Sequence, residues 1–227
     1  MSVLIPPVSA TALLLLADGR LPAGGHAHSG GLEAAIGARR VTDLPTLAAF
    51  LRGRLHTTGR TTATFTAATC AALTPATPAG RVRELDAGVE VRTASPALRR
   101  ASRAQGRALL RAGRAMWPVD PVYRDLHQPV ALGVLAAAAG LGPVEAAVAG
   151  AYGTVTGPAS AAVRLLALDP YAVHALLAEL AGECDRLAAE AAERIAEPVD
   201  ALPADSAPLL EIGAEDHETW EVRLFAS

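Results

Sequence analysis

The stretch Leu21–Glu33, LPAGGHAHSGGLE, holds four glycines, two histidines, a serine and a glutamate. Three chemistries come into question: metal ligation, anion binding and nucleophilic attack. For a metal, the ligands are His26 and His28, which share a face if the segment is extended. A zinc-like site asks for one or two ligands more. Glu33 is close in sequence, but His56, His127, His174 and His217 are scattered singly, and no H-x-x-x-H or C-x-x-C pair supports the two. For a phosphate, a glycine-rich turn ahead of a helix offers backbone N–H groups. The nucleotide-binding fingerprints also need a preceding strand with fixed glycine spacing, or a lysine. All 20 basic residues of this chain are arginines, which removes Walker-type loops and Schiff-base chemistry together. As a nucleophile, Ser29 sits in AHSGG and not in G-x-S-x-G, and adjacent His28 does not aim at it from a helix start. What remains is a turn permitted by glycines such as Gly24, Gly25 and Gly31. It leads into a helix capped by Ser29, with Glu33 in the first turn. Direct metal binding by His26 and His28 is the alternative.

Two further groups stand out. Pro96–Trp117 carries Arg99, Arg100, Arg103, Arg107, Arg111 and Arg114 and no acidic residue. Arg99, Arg103, Arg107 and Arg111 recur every four residues and form one helical stripe. A solvated face normally mixes both signs. The stripe therefore reads either as plain soluble surface or as a docking face for an acidic partner or intersubunit ion pairs. Nucleic acid is not the expected partner, since no aromatics beyond Trp117 interleave the arginines and the net charge is −3. The end of the chain, HETWEVRLFAS, places Trp220, Val222, Leu224 and Phe225 where chains are usually polar and frayed. Either this tail folds back onto the core, or it offers a partner anchors such as Trp220 and Arg223.

These groups must be positioned by helices. The chain is 51% hydrophobic but only 4% aromatic, with alanine supplying much of the difference. Alanine is the best helix former and is depleted in strands. The expected fold is all-α: a single compact multi-helix domain over residues 1–227, with an N-terminal segment 1–20 and a linker and C-terminal tail over 197–227. Thr11–Asp18 reads as a short buried helix or strand. Helices are expected from Ser29 to Arg40, after Asp43, through the Thr-rich TTGRTTATFTAATCAAL, and over VRELDAGVEVRT. Others follow Ser95-Pro96, begin near Pro129 and at Pro143, and follow Asp169-Pro170. GAYGTVTGPAS predicts two helices or one kinked one after Pro143. Cys70 and Cys184 read as core residues of a reducing compartment. The apolar start lacks a basic n-region and is broken by Pro6 and Pro7. No signal peptide or membrane span is expected, and the cytoplasm is the expected location.

Together the pieces resemble the UreF family of urease accessory proteins. LLLLADGRLPAGGHAHSGGLE resembles its N-terminal signature, ASRAQGRALL its A-S-x-x-Q-G block, and HQPVALGVLAAAAGL and SAAVRLLAL the next two blocks. APLLEIGAEDHETWEVRLFAS resembles P-L-L-[DE]-I followed by H-E and a terminal R-L-F-x-S. The blocks fall in order from Leu13 to Ser227. The chain departs at His26, where the family commonly has an aromatic, at Ala34 and Ala35, and at ALDP in place of L-G-Q. The resemblance implies a non-catalytic, cofactor-free, homodimeric helical protein. Such a protein binds a UreD-type (UreH-type) accessory protein and recruits the UreG-type GTPase to apo-urease. The assembly supports GTP-dependent nickel insertion and lysine carbamylation. It further implies that His217, Glu218, Trp220, Arg223, Leu224, Phe225 and Ser227 face the partner. Gly24, Gly25, Ser29, Gly31, Glu33 and Arg164 are motif positions, and Ser102, Gln105 and Gly106 are helix-packing or dimer positions.

Overall fold

The computed structural model describes residues 9–73 and 80–225. The helices are α1 (Ala10–Ala17), α2 (Leu32–Gly37), α3 (Leu44–Arg54), α4 (Arg60–Ala72), α5 (Arg81–Arg92), α6 (Pro96–Arg114), α7 (Gln128–Ala138), α8 (Pro143–Leu165), α9 (Pro170–Glu193) and α10 (Pro208–Glu218). A 3-10 turn, Gly25–Ala27, precedes α2, and a π-helical turn, Leu55–Gly59, joins α3 to α4. No strand occurs among the described residues. The all-α fold follows from composition and from local start signals. Asp43 accepts from Thr46 N and closes a capping box at α3. Ser95 accepts from Leu98 N at α6, and Asp169 accepts from Tyr171 N at α9, each with proline in the first turn.

α4 lies at the centre, against α5, α7, α8 and α9, and α8 packs on α9. Small residues make this possible: Ala63 and Ala67 of α4 and Ala147 and Ala151 of α8 are all buried in one cluster. A Cβ on Gly150 would stand 3.2 Å from the Ala63 Cα, so the two backbones come close. Three of the threonines that argue for a strand in α4 are satisfied inside the helix, while the buried Thr61 hydroxyl is not. Thr64, Thr66 and Thr69 donate to the carbonyls of Arg60, Thr62 and Phe65, one turn back.

Several expectations are corrected by the structure. α1 is a helix buried on one face only: Ala12 and Leu16 face inward while Leu14 and Leu15 are exposed. α2 stops at Gly37 rather than continuing to Arg40. Arg39 N donates to Ile36 O and Arg40 N to Ala35 O, a Schellman ending in which Arg39 takes the left-handed conformation at φ 56°. For GAYGTVTGPAS the single-helix alternative holds: α8 runs from Pro143 to Leu165 and contains Pro158. Proline cannot donate to the carbonyl four residues back, which leaves Thr154 O without its helical partner. Arg54 fills the gap: its Nε donates to Thr154 O at 3.2 Å, and its Nη1 donates to Gly30 O. Burial pushes this guanidinium down to about 10, so it stays charged at neutral pH. The segment expected as a linker is held against α5, since Arg92 donates to the carbonyls of Val199, Leu202 and Pro203.

Candidate functional site

The glycine-rich stretch builds one wall of the site. Gly24, Gly30 and Gly31 have φ of +77°, +61° and +85°, so the stretch is the tight turn that these residues permit. His26 and His28 belong to the 3-10 turn and its end, not to an extended strand, and the shared-face argument for a metal pair does not apply. Among the described residues, no group of three His, Cys, Asp or Glu side chains stands in ligating position; the His26 side chain lies outside them. Burial pushes the Cys70 and Cys184 thiols up to about 12 and about 11, which keeps both protonated and poor ligands. Ser29 is fully buried, and its Oγ accepts from Glu33 N at 3.2 Å. It caps α2 from two residues ahead of the formal N-cap, Gly31.

That cap aims Glu33 inward. Its carboxylate is almost wholly shielded and takes three partners from the far end of the chain. His217 Nε2 lies 2.9 Å from Oε2, Leu224 N donates to Oε1 at 3.0 Å, and Phe225 N donates to Oε2 at 3.0 Å. Charge-assisted bonds of this kind are the strong ones. Phe225 is buried in the apolar cluster that includes Leu32, Leu47 and Leu51, and the Arg164 guanidinium carbon lies 4.6 Å above its ring centroid, a cation–π contact. Trp220 packs on the His217 ring at 4.8 Å. It also fills the space over Gly37, where a Cβ would come within 2.5 Å of its Cη2.

The motif positions Ser29, Glu33 and Arg164 thus converge with His217, Trp220, Leu224 and Phe225. The tail contributes both inward and outward residues, with 221–224 exposed between the buried His217 and Phe225. His217 and Phe225 point in; Val222 and Leu224 are 79% and 73% exposed, and Arg223 is exposed beside them. Among the described residues no ion pair involves Arg223, whereas Glu218 pairs with Arg100 of α6. Glu215 and Glu211 bind α10 to the start of α6, through Ser95 Oγ with Ala97 N and through Ser95 N. Ser227 lies outside the described residues.

A second cluster was not legible as a site. Ser102 Oγ lies 3.1 Å from His127 Nδ1, and His127 Nε2 lies 2.7 Å from Glu90 Oε2. The order serine–histidine–carboxylate suggests nucleophilic catalysis, but His127 is fully buried and both ring nitrogens are engaged. Ser102 Oγ also accepts from Gln128 N. The cluster fastens the start of α7 to α5 and α6. Burial pushes the His127 imidazole below its ordinary range against the opposing pull of Glu90. The hydrogen bond from His127, then that from Arg103, holds Glu90 below the usual carboxylate range. Gly106 serves the same junction: a Cβ there would lie 1.9 Å from Leu126 O. Gln105 lines an open groove of about 790 Å³ together with Leu16, His28, Tyr152, Arg164 and His174.

The arginine stripe has acidic partners within the chain. Arg99 pairs with Glu90, Arg103 with Asp86 and Glu90, and Arg107 with Asp125. Arg114 donates to Tyr123 O, and Arg111 remains exposed.

Comparison with known proteins decides the family. The UreF family model matches residues 41–181. The chain belongs to the UreF family. It is 46% identical over 222 residues to the urease accessory protein UreF of Mycolicibacterium vanbaalenii, covering 96% of this chain and 99% of that one. It is 49% identical over 220 residues to the protein of the same name from Mycobacterium sp. strain JLS, covering 96% and 98%. With that of Mycobacterium tuberculosis the identity is 43% over 223 residues, covering 96% and 99%. A role in urease maturation follows from membership of UreF. No described helix is long and apolar enough to cross a membrane.

Proposed function

We propose that this UreF-family chain is a non-catalytic adaptor of urease maturation. It binds a UreD-type (UreH-type) accessory protein and recruits the UreG-type GTPase to apo-urease. It thereby supports GTP-dependent nickel insertion and carbamylation of the active-site lysine. In this reading it works as a homodimer in the cytoplasm, without a cofactor of its own and without nucleic acid or membrane as partner.

The observation that carries the reading is the near full-length similarity to urease accessory proteins. The tail geometry supplies a surface for it. His217, Phe225 and Trp220 anchor the tail, and Val222, Arg223 and Leu224 are left facing out, two apolar side chains flanking a cation. Apolar anchors beside an arginine suit a protein partner. Co-purification with UreD-type and UreG-type proteins, using the full chain and tail variants, tests the assignment. A partner retained equally by wild type and by Leu224→Asp removes the tail from the interface.

A further inference from the structure

We infer that the Glu33 slot is a peptide-binding site in its own right. Its ligand class is an extended segment that presents two consecutive backbone N–H groups, the second from an aromatic residue. Leu224 and Phe225 occupy it as a displaceable ligand tethered in cis. The walls of the slot belong to other elements: Glu33 to α2, Arg164 to α8, His217 to α10. Among the described residues, segment 221–225 makes hydrogen bonds only to Glu33. Among the described residues, its contacts with the body are the Glu33 carboxylate, which takes two N–H groups, and the Phe225 ring, which lies beneath Arg164 and packs in the apolar cluster.

Recognition is by backbone and by the aromatic side chain. The Leu224 side chain points away into solvent and is not read. An empty slot loses both charge-assisted N–H bonds to Glu33 and exposes the apolar pocket that holds the Phe225 ring, so an occupant is favoured. The short tether gives the chain's own tail an effective concentration on the order of millimolar. A free peptide of the same sequence competes poorly against it unless the tail's own anchor is removed. This inference goes beyond the adaptor reading and does not depend on it, since slot and tail belong to the isolated chain. If a partner draws out Val222 and Leu224, the slot opens to a segment of the same chemistry.

The test uses fluorescence anisotropy with a labelled peptide covering residues 219–227, titrated into full-length chains. Phe225→Ala, which vacates the apolar pocket, is expected to bind the peptide at least ten-fold more tightly than wild type. Adding Glu33→Ala to Phe225→Ala is expected to abolish binding, and Glu33→Gln to weaken it about ten-fold. Helicity by circular dichroism accompanies each variant. In the wild-type chain, where no substitution perturbs folding, excess peptide is expected to speed hydrogen exchange at the Leu224 and Phe225 amides several-fold. Equal affinity of wild type and Phe225→Ala, binding indifferent to Glu33, or exchange rates unmoved by peptide would each overturn the inference.

Discussion

Glu33 and His217, 184 positions apart in the chain, meet at 2.9 Å with both side chains withdrawn from water. The contact closes the glycine-rich start of the molecule onto its last helix. Because Ser29 holds the Glu33 backbone and Glu33 holds Leu224 and Phe225, the N-terminal motif sets which tail residues face out. Glu33→Ala leaves an imidazole and two N–H groups without an acceptor, each worth about 1–3 kcal/mol if they stay buried. The tail escapes most of that cost by peeling into water. The expected outcome is a global loss of about 1–2 kcal/mol in urea denaturation. Near-ultraviolet dichroism should also lose the signal of Trp220, which packs on His217.

Arg54 and Pro158 are coupled through the Thr154 carbonyl. Arg54→Ala orphans that carbonyl only while residue 158 lacks an N–H. In the Pro158→Ala background the helix satisfies it again, so the same Arg54→Ala step should cost about 1 kcal/mol less. A double-mutant cycle by chemical denaturation reads this coupling; strict additivity would remove the explanation for the unbroken α8.

Acid sensitivity should begin at His127. Its folded pKa lies below the ordinary imidazole value of 6.5, so the unfolded chain takes up the proton first. Stability that is full above about pH 6.5 is lost as pH falls toward the folded value. The groups facing it are Glu90, Ser102, Asp86 and Arg103. Glu90, depressed below its ordinary 4.5, adds a second loss as pH falls beneath that value. Urea midpoints measured from pH 8 to pH 4 should show both slopes in wild type. In His127→Asn the upper slope should vanish and the lower one should shrink, because the His127 hydrogen bond is the largest of the causes that hold Glu90 down and Arg103 alone remains beside it.

Two glycine substitutions should separate packing from propensity. Gly106→Ala places a Cβ against the Leu126 carbonyl oxygen, a backbone atom that cannot step aside. A loss of about 3 kcal/mol or more is expected. Gly153→Ala meets nothing within 4 Å on an exposed helical face and should be neutral or gain up to about 1 kcal/mol. Thermal melts of the two variants check both signs.

Local signals were legible because their physics is local. Asp43, Ser95 and Asp169 with their prolines mark helix starts from a few residues of sequence. Glu33, His217 and Phe225 each stood out as motif positions, but nothing in a local pattern says that they meet. The four-residue period of Arg99, Arg103 and Arg107 defines a helix face and not its occupants; Asp86, Glu90 and Asp125 come from neighbouring elements. Pro158 signals a break, and the rescue of the Thr154 carbonyl comes from Arg54, 100 positions before Thr154. His127 looked like a single scattered histidine because its partners, Ser102 and Glu90, lie 25 and 37 positions away.

The most direct test of the adaptor account is capture of UreD-type and UreG-type proteins by the full chain and by Val222→Asp and Leu224→Asp. Both side chains are exposed and outside the anchoring contacts, so melting temperature should stay that of wild type. The account predicts that each aspartate cuts retention of the UreD-type partner at least ten-fold, and recruitment of the GTPase with it. Undiminished capture by the doubly substituted, fully folded chain would contradict it.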